Sequence, residues 1–336
     1  PASSFVNGQI IYVDGENHRP LVSGAGNFGS PRWSPSGDRL AYLSNTEGKT
    51  QLFVQWLDGG ETAKVTTLPQ SPRSIVWSPD GKHIAFTRFV PALPPTLADM
   101  PTKPKGAKWA EPATVVDRMT FRFDGGGYLP TGNQQVFVVP ADGGTPRQMT
   151  SGDYPISGSV SWMPDNESIV FSSNRRENVE YHPRQNDLYA ASLTTGELTQ
   201  MTDHAGPESN PAVSPNGRYL AYTSAADTRQ GYNRADLRVM DLTSGESRSL
   251  TADLDRSVSD IQWSADSKSV WIRYNDLGMA RIAEVDLKGN LTRADVVLGG
   301  TALGRPYTSG TFSVGGKDRI AYTLGRDDRP ADLALM

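Results

Sequence analysis

Gly24, Gly26 and Gly29 stand in a Gly-x-Gly-x-x-Gly run, the spacing with which a tight turn lets backbone amides approach a pyrophosphate. That chemistry needs a strand before the run and a helix N-terminus after it. Here the run leads into Ser30-Pro31-Arg32-Trp33, which reads as a strand, so a flexible connecting loop is the better account. A hydrolytic serine fares no better. No Gly-x-Ser-x-Gly occurs, and the nearest approach, Gly245-Glu246-Ser247-Arg248-Ser249, falls on an outer hairpin instead of a strand-to-helix turn. His18, His83, His182 and His204 are scattered without paired ligand spacing, and no calcium-loop pattern occurs among the aspartates. No catalytic residue, metal or cofactor is therefore expected.

The remaining chemistry lies in three long segments, 89–134, 174–186 and 225–235. The first is Pro-rich, then charged and aromatic, with Arg118, Arg122, Asp124 and Tyr128; the second holds Arg175, Arg176, Glu177, Glu180 and Tyr181. A loop as long as the first is uncommon without a function of its own. Asp153, Tyr154, Asp203, Glu208 and Asp255 stand in shorter connections. A peptide terminus needs an opposite charge held in a partly desolvated site. Arg118, Arg122, Arg175 and Arg176 are accordingly the candidates for a carboxylate or carbonyl, Glu177, Glu180 and Glu208 for an amine, and Tyr128 and Tyr181 for apolar walls. For any one of them the plain alternative is a solvated loop residue in an internal ion pair.

The elements that must position these residues come from a repeat. WSPSGDRLAYLS (33–44), WSPDGKHIAFTR (77–88), WMPDNESIVFSS (162–173), VSPNGRYLAYTS (213–224) and WSADSKSVWIRY (263–274) share one pattern. Successive anchors are 44 residues apart, then 85, then close to 50. Such a period, with four short strand-like runs per unit, is the signature of a β-propeller blade. Pro presets φ in the Ser-Pro-Asp-Gly turn, and Gly or Asn takes the positive φ of a tight hairpin. No stretch sustains a 3.6-residue apolar period with caps, so little helix is expected.

Two incomplete units flank the five. QIIYV (9–13) and RPLVS (19–23) read as the outer two strands of a first blade, while TFSVGGKDRIAYTL (311–324) and ADLALM (331–336) read as the first three strands of a last one. The expected fold is all-β, a seven-bladed β-propeller of four-stranded antiparallel blades with its first and last blades incomplete. The alternative is six blades closed by the termini. The chain is read as one domain over 1–336, with blades at 1–29 (partial), 30–68, 69–151, 152–203, 204–252, 253–299 and 300–336 (partial). In such a blade the hairpin turns emerge on one face, and the loops between second and third strands and between blades on the other. All three long segments fall on that second face.

Composition bounds the partners. The chain has 336 residues, a formal net charge of −4, 37% hydrophobic residues and no cysteine. The negative balance argues against nucleic acid, and no apolar run reaches membrane-spanning length. The start PASSFVNG is not a signal peptide. Either cytoplasm or periplasm fits, the latter if a leader has been removed.

The start P-R-W-S-P-S-G, the insert VVDRMTFRFDGGGYL followed by QQVFVVPADGGTPRQMT, the run SWMPDNESIVFSSNRREN and the blade NPAVSPNGRYLAYTS together resemble the N-terminal domain of the prolyl oligopeptidase family of serine peptidases. The similarity is to its acylaminoacyl-peptidase and bacterial dipeptidyl-aminopeptidase-like branch and covers nearly the whole chain. The resemblance implies a propeller that caps an α/β-hydrolase domain, excludes folded proteins and helps to grip a peptide. It also implies that the hydrolase domain lies outside this chain, and that any homo-oligomer forms through the parent protein. The rival expectations are a stand-alone propeller that recruits a protein or glycan by its long-loop face, and a propeller enzyme with its site in the central channel. The innermost runs SPRW, SIVW, SVSW, NPAV and DIQW offer almost no histidine or carboxylate for the latter.

Overall fold

The computed structural model describes residues 2–6, 9–13, 18–93, 98, 101–110, 113–228, 230–300, 309–316, 319–326 and 329–336. Five antiparallel sheets of four strands follow one another along the chain: blade I (28–64), blade II (72–148), blade III (156–200), blade IV (208–249) and blade V (258–293). A three-stranded sheet lies at each end, Ala2–Val6, Gln9–Val13 and His18–Val22 at the start and Phe312–Val314, Ile320–Arg326 and Arg329–Leu335 at the finish. The first sheet contacts blade I and the last contacts blade V, so both occupy the sector of the ring between those blades. Together they close the ring in the six-bladed arrangement that was the alternative, so the leading expectation of seven blades with two unfinished ones is corrected. The all-β propeller class is met, and a three-residue 3₁₀ turn at Val179–Tyr181 interrupts the strands.

One strand was not foreseen. Ala2–Val6 pairs with Gln9–Val13, in register Val6 to Gln9, making the first sheet three strands instead of two. The signal was Asn7-Gly8, a favoured hairpin dipeptide between the two runs.

Repeat chemistry explains the ring. In four blades a serine follows the anchor, and its hydroxyl accepts the amide five residues on: Arg39, His83, Tyr219 and Ser269 donate to Ser34, Ser78, Ser214 and Ser264 at 2.9–3.1 Å. The turn's left-handed position is taken by Gly37, Gly81, Asn166, Gly217 and Ser267, so Ser267 departs from the expected Gly or Asn. Each innermost strand also carries a bulge at which one residue has positive φ: Ser30, Ser74, Gly158, Asn210 and Asp260. A bulge bends and twists its strand, which suits the crowded inner edge of a ring.

The anchors staple neighbours. The indole N–H groups of Trp77, Trp162 and Trp263 donate to the carbonyls of Arg32, Val76 and Ala212, each in the preceding blade's inner strand, at 2.9, 3.2 and 2.8 Å. Where blade IV has Val213 in place of Trp, Ser161 compensates by accepting the Val213 amide at 3.0 Å. Where the last sheet has no Trp, Gln262 bonds both Phe312 O and Val314 N. Apolar faces then stack between blades, as where Leu52, Val54, Ile75, Trp77, Phe86 and Phe137 form one cluster across blades I and II.

Candidate functional site on the long-loop face

The second-to-third-strand connections of blades II, III and IV span 92–131, 174–186 and 226–234, and cross-blade contacts tie them together. Arg118 in the blade II insert donates to both carboxylate oxygens of Asp153, at 2.8 and 3.0 Å, and Asn133 donates to the same group. Burial opposes ionisation at Asp153, but these bonds outweigh it and hold the carboxyl below its ordinary value. Glu180 accepts the Met119 amide at 3.1 Å, joining the blade III loop to the blade II insert. Gln185 donates to Asp227, joining blade III to blade IV.

The nine candidates therefore divide by availability. Arg122 and Tyr128 pair across a small hairpin inside the insert, Arg122–Phe123 with Gly127–Tyr128, and both are exposed. Tyr128 is 63% and Tyr181 74% exposed, and Glu177 is exposed beside them in sequence. Arg118, Arg176 and Glu180 are engaged within the protein. Arg176 bonds Asp187, whose side chain is fully buried, at 3.2 Å. Arg175 lies over Tyr154 at 4.8 Å, with Tyr189 and Phe171 behind, and burial lowers its affinity for a proton. Such a box stabilises a cation through the ring quadrupoles.

Glu208, expected in an inter-blade loop, is instead the first residue of the inner strand Glu208–Val213 and is only 1% exposed. The equivalent residue of the other blades, set by the same strand register, is Phe28, Pro72, Ile156 or Val258. All four are buried. Blade IV alone places a carboxyl there, and its Oε2 is buried without a hydrogen-bond partner. Burial pushes the Glu208 carboxyl above the usual carboxylate range, against the pull of a bond from Thr202.

The same row runs on across the sheet. Ser224 pairs with Glu208, and Asp236 with Ser224; in blade III the matching third-strand residue is Asp187, and in blades I and II it is Gln51 and Gln135. Gln51 and Gln135 are neutral and accept the hydroxyls of Thr66 and Thr150. Asp187 and Asp236 each bring a guanidinium, Arg176 and Arg234, the latter at 2.9 Å. Asp187, Arg234 and Asp236 were missed in the sequence, although aligning each repeat on its anchor exposes the polar substitutions directly. A cleft of about 480 Å³ opens beside this row, lined among others by His204, Ser224, Tyr232, Arg234, Asp236, Arg238 and Asp255.

Comparison with known proteins agrees with this geometry. The family described as the dipeptidyl peptidase IV N-terminal region matches residues 108–230, the span that holds the insert, blade III and the start of the blade IV loop. Dipeptidyl-peptidase 5 of Porphyromonas gingivalis is 26% identical over 293 residues, 83% of this chain and 42% of the relative. The uncharacterized peptidase YuxL of Bacillus subtilis is 30% identical over 161 residues, 47% of this chain and 23% of the relative. The chain thus spans less than half the length of these curated relatives. Among solved structures, the acylaminoacyl peptidase of Pyrococcus horikoshii shares the fold with a TM-score of 0.67 at 16% identity, covering 98% of this chain and 46% of that one. The sequence match runs through the loop-bearing blades and the propeller fold matches over nearly its whole length, so the chain is similar in sequence to dipeptidyl-peptidase propeller regions and in fold to the propeller of an acylaminoacyl peptidase.

Proposed function

We propose that the chain is the substrate-gating and peptide-positioning propeller of a serine exo- or oligopeptidase whose α/β-hydrolase catalytic domain lies outside it. The observation that carries this is the one-sided build. The hairpin turns are short on one face, while three long loops on the other are tied across blades II, III and IV by Arg118–Asp153, Glu180–Met119 and Gln185–Asp227. Arg122, Tyr128, Glu177 and Tyr181 are the side chains of that face placed to meet a peptide first. Arg118, Arg175, Arg176 and Glu180 hold the loops in shape, and Glu208 is the least accessible of the nine. Names such as dipeptidyl-peptidase and acylaminoacyl peptidase among the relatives support a peptide as the substrate.

The test is steady-state kinetics in the parent peptidase. Arg122→Glu with Tyr128→Ala should change KM for peptides while leaving kcat for a small ester substrate within about twofold, because only uniform binding is removed. Unchanged KM across peptides of varied length and charge would refute the assignment.

A second reading rests on the blade II insert, which exposes Trp109, Met119, Phe121, Phe123 and Tyr128. A concentration of exposed large apolar residues marks a surface that another protein covers. Recruitment of a protein partner by the insert predicts that Phe123→Ser abolishes that association and leaves peptide KM unchanged.

A further inference from the structure

Blade IV breaks the repeat twice on one face, and the second break borders the cleft. Glu208 is the first. The second lies one row further in, where the second and third strands of blades I, II and III oppose two rings: Tyr42 and Phe53, Phe86 and Phe137, Phe171 and Tyr189. These pairs stack at 5.6–6.1 Å between centroids. In blade IV the first partner is again aromatic, Tyr222, but the second is Arg238. A guanidinium thus replaces a ring at an inter-blade position, where it faces a seam that holds Val170, Leu188 and Met240.

Arg238 feels the buried Glu208 carboxyl electrostatically but makes no ion pair with it or with any other described carboxylate. Its Nε and Nη2 donate to the hydroxyl and carbonyl of Ser247, at 3.2 and 3.3 Å, and both are neutral. Arg176 and Arg234, the other guanidinium groups beside this seam, each have an aspartate within ion-pair distance; among the described residues Arg238 has none. It lines the cleft with Tyr232 at the rim, 67% exposed. A guanidinium whose direct hydrogen bonds all go to neutral oxygens, at the wall of an open cleft where Arg234 already engages Asp236, keeps donors for a carboxylate, which it binds through charge-assisted and often bidentate bonds.

We propose that the cleft at the loop end of blade IV binds a peptide carboxylate, with Arg238 as its counter-ion and Tyr232 as a side wall. The carboxylate is that of a C-terminus or of an acidic side chain. The proposal rests on the peptide-binding role given above to the long-loop face and assigns it an anionic anchor.

The experiment titrates the 336-residue chain, by calorimetry at low salt, with N-acetyl-trialanine bearing a free carboxylate, with its C-terminal amide, and with an amidated peptide containing one internal aspartate. The free acid should bind saturably and the amide should not. Binding of the internal-aspartate peptide would identify a side-chain carboxylate, and its failure a C-terminal one. Arg238→Gln should weaken the free acid by about tenfold or more, the loss of one charge-assisted anchor. Arg238→Lys should restore part of it. Equal binding to wild type and Arg238→Gln, equal binding of acid and amide, or no saturable binding would overturn the proposal. Should Arg238→Gln not melt cooperatively, hydrogen exchange on the wild type decides: protection by the free acid must fall on 224–238 and 253–257. Protection confined to 113–131 and 174–186 would refute the cleft and leave the wider peptide-binding role standing, which the parent-enzyme kinetics test separately.

Discussion

Replacing Glu208 with valine, the residue that blade V carries at the same register position as Val258, should stabilise the protein at neutral and alkaline pH. Glu208 is 1% exposed with Oε2 unpartnered. A buried unsatisfied polar group costs about 1–3 kcal/mol, and exchange of buried ionic groups for well-packed apolar ones is often stabilising by a similar amount. Loss of the Thr202 bond returns about 1 kcal/mol. The net gain is up to about 2 kcal/mol. With an unfolding entropy of about 2.1 cal/mol/K per residue, 336 residues give about 0.7 kcal/mol/K, so Tm should rise by up to about 3 °C.

The pH dependence follows from the direction of the shift. Burial raises the folded-state pKa of Glu208 above its unfolded value, so its contribution is fully present below the unfolded pKa and is lost as pH rises through the folded one. The advantage of Glu208→Val should therefore be largest near pH 8 and shrink as pH falls toward 5. Thermal melts and urea titrations at both pH values measure it. A variant less stable than wild type at pH 8, or a difference that does not change with pH, would refute the view that this carboxyl is held at a cost to the fold.

Three further outcomes are expected. Trp263→Phe removes the 2.8 Å bond to the Ala212 carbonyl and should cost about 1–2 kcal/mol by urea denaturation, with Ser161→Ala costing about 1 kcal/mol at the seam where Ser161 replaces the indole. Arg176→Met strands the fully buried Asp187 carboxylate and should cost about 3 kcal/mol at pH 8. Burial already raises the pKa of Asp187 against the pull of Arg176, so this loss should diminish as the pH falls and the carboxyl takes up its proton. Asn210 has φ of 55°, so Asn210→Gly should leave the melting temperature nearly unchanged while Asn210→Val lowers stability by about 1–2 kcal/mol; equal effects would show that the backbone there is not constrained.

The sequence disclosed the ring because its turns are local. Pro35 and Gly37 with Ser34 close a hairpin within six residues, and the same chemistry recurs at Ser78 and Ser214. It disclosed the loop face for the same reason, since alternation of strands and turns assigns each connection to a side. What stayed hidden depends on contacts between distant residues. Arg118 and Arg176 read as substrate ligands until Asp153 and Asp187 are seen to hold them, at sequence separations of 35 and 11. Compensation by Ser161 and Gln262 for missing tryptophans is equally non-local. Glu208 and Arg238 are the instructive case. Both were visible as departures from an aligned repeat, but without the register it was not evident that they share one face of blade IV.

The central claim is that peptides are met by the long-loop face. Hydrogen–deuterium exchange of this chain, with and without a saturating short peptide, tests it most directly. Protection should appear in 113–131, 174–186 and 224–238 and be absent from the Ser-Pro-Asp-Gly turns at 34–38, 78–82 and 214–218. Protection at those turns with none in the loops would contradict the account.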